Sequence, residues 1–388
     1  MRSQLSPRRT AMFVMPAFAG LLLGGVGAPS AHAATIDVPC TTSALTNAVN
    51  QANADPDPTT LRLARNCVYS YAAGDPSAPA TALPHITTPV AFNGRQATIT
   101  RAEGAPLFRL LAIDGTGGAE LKDLTLSNGD IVNEGGGAVF NGGTLTISNC
   151  RLIGNTVRSE NGGAVNNFGS LRITSSVLRG NSVVPGPNPG GGGGGAVINN
   201  FGAVARIEGS VLTGNSSFRD GGAVNNGSGT FTLTGGLLAG NEGRAGGAIA
   251  NGGTFTLTGA TLTGNTATLT NGGAITNGGF LTTRLVAVTH NTAAVDGGGI
   301  LNGGVLDARS TRIESNAATT GTGGGIVNRG GTAEATLTGS RVTRNTAAQA
   351  PAGIHNDGGL VTLRITLVAG NTPGNCAGSS PAVGGCTG

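Results

Sequence analysis

Residues 246–265 read Gly-Gly-Ala-Ile-Ala-Asn-Gly-Gly-Thr-Phe-Thr-Leu-Thr-Gly-Ala-Thr-Leu-Thr-Gly-Asn, and this stretch decides the fold. It contains three short apolar segments, Ala248–Ile249, Phe255–Leu257 and Thr261–Leu262, separated by Gly or Asn. Alternation with a period of two predicts strands, but segments this short cannot form independent hairpins. The unit therefore predicts one three-stranded coil of a parallel β-helix, in which each strand pairs with the coils about 4.8 Å above and below.

The unit recurs nine times with a period of about 26 residues, the spacing expected of a stacked repeat array. Its first half reads Gly-Gly-Ala-Val-x-Asn or a close variant, and we assign the asparagine of this motif to Asn141, Asn167, Asn200, Asn226, Asn251, Asn277, Asn302, Asn328 and Asn356. A second asparagine closes each copy, at Asn155, Asn181, Asn215, Asn241, Asn265, Asn291, Asn316, Asn345 and Asn371. Because equivalent turns stack, we predict that the first set forms a structural ladder of amide hydrogen bonds.

Composition favours a packed array over a disordered or fibrous chain. The 388 residues include 70 Gly and 17 Pro, but charged residues make up only 11% and the mean hydropathy is +0.08. Low charge argues against disorder, and glycine has no three-residue period, which excludes collagen. The net charge of +4 falls to about +1 without residues 1–33, so we expect no binding to nucleic acid.

Residues 1–33 are predicted to be a signal peptide. Arg8 and Arg9 precede an apolar run at 11–28, and Ala-His-Ala at 31–33 provides a small-x-small cleavage site. No stop-transfer segment follows, so we expect no stable membrane span. The sequence thus predicts a protein that is secreted or held at the surface of a bacterium.

The five cysteines fit an exported protein if most of them are paired. Cys40 and Cys67 lie before the repeats, and Cys376 and Cys386 lie after them. We predict the bridges Cys40–Cys67 and Cys376–Cys386, one at each end. Cys150 stands alone among the repeats and is predicted to be a buried free thiol.

The two ends are predicted to cap the array. Residues 43–54 place Leu45, Ala48, Val49 and Ala52 at helical spacing, with Ser43 as the candidate N-cap. A helix here would cover the open end of the core. The predicted organisation is a signal peptide at 1–33, an N-terminal cap at 34–58, a parallel β-helix at 59–372 and a C-terminal disulfide cap at 373–388.

The chain resembles a known group of proteins. The Gly-Gly-Ala-Val/Ile units, the N-terminal helix and the segment 83–94 followed by Ala-Thr-Ile-Thr-Arg at 97–101 are similar to bacterial secreted right-handed β-helix proteins of the pectin-lyase-like superfamily. The repeats are also similar to those of polymorphic outer-membrane proteins. The resemblance implies an all-β, right-handed parallel β-helix, in a superfamily that includes lyases, hydrolases, adhesins and inert scaffolds.

The sequence offers little for catalysis. Glycoside hydrolysis needs two carboxylates at a defined separation, and neither the Asp-Asp pair nor the His-Gly segment of β-helix polygalacturonases is present. A lyase needs a base and a cation or metal, but Lys122 is the only lysine and no acidic cluster for calcium is evident. No His/Cys cluster has the spacing of a metal site, so we expect no cofactor, with calcium as a possibility for a lyase alone.

Charged residues recur at the turn before Gly-Gly-Ala and are predicted to line one side of the β-helix: Glu134, Arg158, Glu160, Arg219, Asp220, Glu242, Arg244 and Asp296. Two further residues, His290 and Arg344, replace the Gly before the second Asn. We take as the candidate ligand-binding site the charged edge, defined as Arg219, Asp220, Arg244, His290, Asp296 and Arg344. A Pro/Gly-rich insertion at 184–193 is expected to flank it, and His355 is expected to be a surface residue.

These features predict an exported, non-catalytic surface or matrix protein, a scaffold or adhesin whose faces bind glycans. A polysaccharide lyase that acts on uronate-containing polymers through the charged edge is the alternative. A purely structural repeat protein is a third possibility, in which the charged edge is a solvated face.

Overall fold

The repeat spacing of the sequence becomes the coil spacing of a parallel β-helix. A computed structural model describes residues 34–187 and 190–388. Within them the chain forms an all-β parallel solenoid of about 13 turns with a single short N-terminal helix, which confirms the predicted fold class. The predicted signal peptide, 1–33, lies outside the described residues.

The N-terminal third is less regular than the rest. Its elements are β1 (Ala34–Val38), α1 (Thr42–Asn53), β2 (Thr59–Leu63), β3 (Val68–Tyr71), β4 (Pro89–Arg101), β5 (Leu111–Ile113), β6 (Gly118–Ser127) and β7 (Asp130–Val132). β1 pairs in parallel with β2, so the sheet begins within the segment predicted as the cap.

Nine regular coils follow, one for each copy of the repeat. The first five comprise β8–β11 (Val139–Asn141, Thr144–Ser148, Arg151–Ile153, Thr156–Arg158), β12–β15 (Val165–Asn167, Ser170–Thr174, Val177–Arg179, Ser182–Val184), β16–β19 (Val197–Asn199, Val204–Glu208, Val211–Thr213, Ser216–Ser217), β20–β23 (Val224–Asn226, Thr230–Thr234, Leu237–Ala239, Glu242–Gly243) and β24–β27 (Ile249–Asn251, Thr254–Thr258, Thr261–Thr263, Thr266–Ala267). The last four comprise β28–β31 (Ile275–Asn277, Phe280–Arg284, Ala287–Thr289, Thr292–Ala293), β32–β35 (Ile300–Asn302, Val305–Arg309, Arg312–Glu314, Ala317–Ala318), β36–β39 (Ile326–Arg329, Glu334–Thr338, Arg341–Thr343, Thr346–Ala347) and β40–β42 (Ile354–Asp357, Leu360–Arg364, Leu367–Ala369).

Stacking of these coils produces three sheets. The first strands of the regular coils extend β5 into a 10-stranded sheet, and their fourth strands extend β7 into a 9-stranded sheet. The second and third strands belong to one 23-stranded sheet, because the long strands β4 and β6 run through both rows. Neighbouring coils pair in parallel without register shift in the repeats, as in Thr254–Thr258 with Phe280–Arg284.

The fourth strand, present in the first eight of the nine regular coils, was not predicted. The sequence of each unit contains three apolar segments, but the structure adds a strand of two or three residues directly after the second asparagine. Its inward side chain is small in most coils, as at Ser217, Gly243 and Ala267. Such strands contain no apolar alternation, so the sequence pattern could not reveal them.

The inward side chains form one narrow core along the axis. Phe231 and Phe255 stack in adjacent coils with ring centres 4.6 Å apart, and both are fully buried. The paired glycines before each Ala make the turn into this core possible. Gly246 has φ +60°, and a Cβ on Gly247 would lie 2.2 Å from the carbonyl oxygen of Gly273 in the next coil. A side chain at either position would therefore be strained.

The N-terminal end of the core is covered by a helix. Helix α1 buries Leu45, Ala48, Val49 and Ala52, as predicted, but it begins earlier than expected. The N-cap is Thr41 rather than Ser43, because the Thr41 hydroxyl accepts a hydrogen bond from the backbone N–H of Ala44 at 3.2 Å.

The structure contains the two predicted disulfides. Cys40–Cys67 ties the segment before α1 to the second coil, and Cys376–Cys386 closes the C-terminal segment. Cys376 and Val383 in that segment are buried against the last coil. Each bridge therefore holds the chain at one end of the solenoid.

Candidate functional site

The first asparagine ladder is fully internal, and one of its predicted members is wrong. Asn141 donates to Asn167, Asn167 to Asn199 and Asn199 to Asn226, with N···O distances of 2.6, 2.8 and 2.9 Å. Asn200 lies outside the ladder and instead donates to Asn166 Oδ1. The reason is register, because Asn167 is paired with Asn199. From Asn226 the ladder continues through Asn251, Asn277, Asn302, Asn328 and Asn356.

The second set of asparagines forms another buried ladder, from Asn155 to Asn371. The amide of Asn265 donates to Asn291 Oδ1 and to the carbonyl of Leu238, while its oxygen accepts from the backbone N–H and side chain of Asn241. The donors and acceptors of the Asn265 side chain are therefore engaged within the solenoid. Neither ladder presents its amides to a ligand.

The charges that precede the Gly-Gly-Ala strands pair with one another across coils. Arg244 donates from Nε to Asp220 Oδ1 at 3.1 Å, and this hydrogen bond and the carboxylate charge raise the pKa of Arg244. Nearer the N-terminus, Arg158 and Asp130 form an equivalent ion pair, with 2.9 Å between Arg158 Nη2 and Asp130 Oδ2. The Arg219 guanidinium lies 5.2 Å from the ring centre of Phe218. These ion pairs thus join neighbouring coils, and they neutralise most of the charge in this part of the charged edge.

Asp296 belongs to a wider network that the sequence did not reveal. It accepts from Arg329 at 2.9 Å and from the backbone N–H of Thr322 at 2.8 Å, and Arg329 also pairs with Asp357 at 2.9 Å. The Thr322 hydroxyl lies 2.6 Å from Nδ1 of His355. His355 is half-buried rather than a surface residue, and burial lowers its pKa. The network links three successive coils.

His290 and Arg344 lie on a different side of the solenoid from the rest of the charged edge. Both occupy the turn between the third and fourth strands, where each has φ +56°. Asp220, Arg244 and Asp296 lie beyond the fourth strand, near the turn into the next Gly-Gly-Ala. Arg344 pairs with Glu314 at 3.2 Å. The predicted single edge is therefore two edges separated by the 9-stranded sheet.

The Pro/Gly insertion folds back onto the coils. Asn161 Oδ1 accepts from the backbone N–H of Gly193 at 3.0 Å, and Asn225 donates to the carbonyl of Gly192. Gly193 also forms a parallel bridge with Asp220. The described part of the insertion thus lies beside Asp220, as expected, and is held by hydrogen bonds.

A polar groove lies on the first coils, at the turn between the two rows of the 23-stranded sheet. We call it the N-terminal groove and define it by Arg65, Asn66, Arg95, Gln96, Asp123, Asn149 and Arg151, with Leu124 and Thr125 completing the wall. Its two adjoining cavities measure about 510 and 360 Å³ and share Gln96 and Asp123.

The backbone of the first coils is shaped to open this groove. Strand β4 bulges between Asn93 and Ala97 relative to β6, which places Arg95 and Gln96 in the left-handed region at φ +50° and +68°. A Cβ at Gly94 would lie 2.6 Å from the carbonyl oxygen of Asp123, so the bulge requires glycine there. Bulges of this kind commonly re-aim side chains at functional sites.

The electrostatics of the N-terminal groove differ from those of the charged edge. Among the described residues, Arg65, Arg95 and Arg151 have no carboxylate within ion-pairing distance, and all three are exposed. Asp123 accepts a hydrogen bond from the side-chain amide of Asn149. The groove therefore combines three available guanidinium groups with neutral amides and one carboxylate.

Cys150 lies directly behind this wall as a free, buried thiol. Its Sγ donates to the carbonyl of Ser148 at 3.2 Å, and burial raises its pKa to about 11. The thiol therefore remains protonated and unreactive at neutral pH.

Sequence reasoning missed the N-terminal groove because its coils lack the Gly-Gly-Ala repeat. Asn66, Gln96, Asp123 and Asn149 occupy the turn that carries Gly209, Gly235 and Gly259 in later coils. The available signal in the sequence was the presence of Asn and Asp at this turn, because these residues tolerate the left-handed conformation better than most others. Without a repeat, however, their alignment across coils could not be assigned.

The described residues offer no evident metal site. Within 34–187 and 190–388, no group of three or more His, Cys, Asp and Glu side chains is placed to hold a metal ion. In the same part of the chain, no helix is both long and apolar enough to cross a membrane.

Comparison with known proteins gives a distant structural likeness. No family model matches the sequence, and no curated protein matches it significantly. Among solved structures, the chain is similar to tailspike protein 3 of bacteriophage CBA120, with 13% identity and a TM-score of 0.40. The match covers 87% of this chain and 59% of the tailspike chain, so this chain spans less than two thirds of the tailspike's length.

Proposed function

We propose that the protein is an exported, non-catalytic β-helix protein that binds a polysaccharide in its N-terminal groove. The observation that carries the proposal is the set of three exposed guanidinium groups, Arg65, Arg95 and Arg151, which have no ion-pair partner among the described residues. Guanidinium forks donate two parallel hydrogen bonds to carboxylates and bind other oxygen acceptors well. The two disulfides are compatible with an extracellular location.

The dimensions of the N-terminal groove suit a chain-like ligand. Asn66, Gln96, Asp123 and Asn149 belong to four successive coils, and at the usual strand spacing they extend over about 14 Å. These three amides and one carboxylate, at regular intervals, can bind the hydroxyl groups of consecutive sugars. A polymer lying parallel to the solenoid axis would contact one coil after another.

The charged edge is a weaker candidate for the same role. Its Arg244 and Asp220 already bind each other, and Asp296 is buried beneath Arg329 and Thr322. A ligand there would have to displace existing ion pairs, whereas the guanidinium groups of the N-terminal groove are exposed and available.

Binding is favoured over the lyase alternative by the composition of the N-terminal groove. A lyase needs a base that can take the proton next to the uronate carboxylate. No histidine, lysine or tyrosine is among the residues that line the described groove. Asp123, its one carboxylate, is hydrogen-bonded to Asn149.

Paired arginine variants test the proposal. After a glycan array identifies a ligand, calorimetric titration should show that Arg95→Ala with Arg151→Ala weakens binding at least about tenfold, because hydrogen bonds to charged donors are lost. The matched control is Arg219→Ala with Arg244→Ala, which removes the same number of charges from the charged edge. The Arg95 and Arg151 pair should change the melting temperature by no more than a few degrees, since both side chains are exposed. The control pair is half-buried and loses the ion pair of Arg244 with Asp220, so its melting temperature should be measured together with its binding.

Three results would contradict the proposal. Failure to bind any acidic or neutral polysaccharide would favour a purely structural role. Loss of binding in the control pair alone would return the site to the charged edge. Formation of unsaturated uronate products, followed by their ultraviolet absorbance, would establish the lyase alternative.

A further inference from the structure

The last coil of the solenoid leaves an open sheet edge. β41 pairs with β37 and β42 pairs with β38, but no described residue pairs with their outer side. In β41 the backbone of residues 360 and 364 bonds to the preceding coil, so the alternating geometry of a parallel ladder directs the N–H and C=O groups of Val361 and Leu363 outward.

The core is also incompletely covered at this edge. Leu337 and Val342 are fully buried in the preceding coil, but the equivalent Leu363 and Val368 are part-exposed. The C-terminal segment 373–388 pairs instead with the 10-stranded sheet, where Asp357 bridges Ser380. An exposed apolar edge of this kind is a template for another strand.

The other end of the same sheet presents a complementary edge. β1 pairs with β2 on one side, and no described residue pairs with its outer side. The backbone of Val38 bonds towards β2, so Thr35 and Asp37 direct their backbone groups outward. In each edge, every second residue directs its backbone N–H and C=O groups outward. When Leu363 stands opposite Ile36, the outward groups of Leu363 lie between those of Thr35 and Asp37, which is the arrangement of adjacent coils within the solenoid.

The side chains of the two edges match in the register that the solenoid uses throughout. One column of paired positions starts at Asp37, which stands opposite Arg62, and ends at Arg364, which stands opposite Thr338. If the column continued from one copy to the next, Arg364 would face Asp37. In the same register Leu363 would cover Ile36, and Thr362 would face Thr35.

We propose that copies of this chain associate head to tail, with the β41 edge of one copy pairing in parallel with the β1 edge of the next. The pairing extends the 23-stranded sheet, buries Leu363, and adds the Arg364 cation to an Asp37 carboxylate that pairs with Arg62 of its own copy and is still 67% exposed. Because the two surfaces differ, the contact is heterologous and leads to linear assemblies. This inference is independent of the proposed glycan binding.

Charge variants test the contact. Sedimentation velocity over a range of protein concentrations should show association of the parent protein. Arg364→Glu should shift it to at least about tenfold higher concentration, because two carboxylates would face each other. Arg284→Glu is the matched control, since Arg284 is exposed and belongs to the same column in an internal coil. It should leave association unchanged.

Cysteine pairs test the direction of the contact. The strand spacing of about 4.8 Å lies within the Cα separation of a disulfide. Under mild oxidation, a mixture of Thr35→Cys and Thr362→Cys chains should form a cross-linked dimer, whereas either variant alone should not. Cys150 is buried and should remain reduced in both.

Three outcomes would overturn the proposal. The first is a parent protein that remains monomeric at every concentration tested. The second is cross-linking of Thr362→Cys with itself, which would show that two C-terminal edges meet. Equal effects of Arg364→Glu and Arg284→Glu would likewise exclude a specific contact at Asp37.

Discussion

A residue in this solenoid makes its main contacts with the residues at equivalent positions in the coils on either side. Asn265 bonds to the coils on both sides, and Arg244 bonds to Asp220 in the preceding coil. The same residue type has a different role one position away, as Asn199 and Asn200 show. Asn199 is fully buried in the ladder, whereas Asn200 is part-exposed and bonds to Asn166.

This difference predicts unequal effects of two adjacent substitutions. Asn199→Ala removes the Oδ1 acceptor of the Asn167 amide and the amide donor to Asn226 Oδ1, and it should lower the free energy of unfolding by about 2–4 kcal/mol. Asn200→Ala should cost about 1 kcal/mol. Urea titration followed by circular dichroism measures both, and an equal or greater effect at Asn200 would contradict the ladder assignment.

At the scale of the element, short strands depend on their neighbours, and helix α1 depends on its cap. A strand of two residues such as Thr266–Ala267 is held by pairing with the coils on both sides. Helix α1 is not paired with neighbouring strands in this way, and its first turn is capped by the hydroxyl of Thr41, which accepts from the backbone N–H of Ala44. Its apolar face, which includes Leu45 and Val49, then covers the first coils.

The cap can be tested by two substitutions in the same turn. Thr41→Ala should destabilise α1 by about 1 kcal/mol, because the N–H of Ala44 loses its acceptor. Ser43→Ala should have a smaller effect, since Ser43 lies inside the helix and its side chain is exposed. Hydrogen exchange of the α1 amides reports the change directly. Faster exchange in Ser43→Ala than in Thr41→Ala would restore Ser43 as the cap.

At the scale of the whole molecule, the solenoid is a stack in which the ends differ from the middle. Internal coils are paired on both faces, whereas each terminal coil has a neighbour on one face. The two disulfides lie at these ends. The C-terminal segment covers the core with Val383 but leaves β41 and β42 open. The ends therefore govern both fraying and association.

Removal of either bridge should loosen the end to which it belongs. Cys40→Ser with Cys67→Ser, or Cys376→Ser with Cys386→Ser, should each cost about 2–4 kcal/mol. Limited proteolysis should then cut near the altered terminus first, while the middle coils stay intact. Cleavage that begins in the middle coils would show that the bridges do not protect the ends.

The sequence alone determined the repeat, and through it the fold class, the paired cysteines and most of the first ladder. This was possible because each copy of the repeat becomes one coil, so that a regular spacing along the chain becomes a vertical stack. Gly246 and Gly247 reveal the turn in their copy, since a Cβ would be strained at either position. The alternation of Phe255 and Leu257 with threonines similarly identifies a strand from the sequence, and both apolar side chains are buried in the structure.

Tertiary structure alone decided which neighbours surround the residues that lie outside the repeat motif. The spacing did not show that His290 and Asp296 lie on different edges, because the strand that separates them, Thr292–Ala293, is too short to show apolar alternation. It also could not align Arg65, Arg95 and Arg151, since the bulge in β4 and the absence of the repeat hide their register. Side chains distant along the chain become neighbours when coils stack, and a shift of one residue moves each of them to another partner. For that reason the ladder position of Asn199, the pairing of Arg244 and the N-terminal groove were decided by the stacked coils.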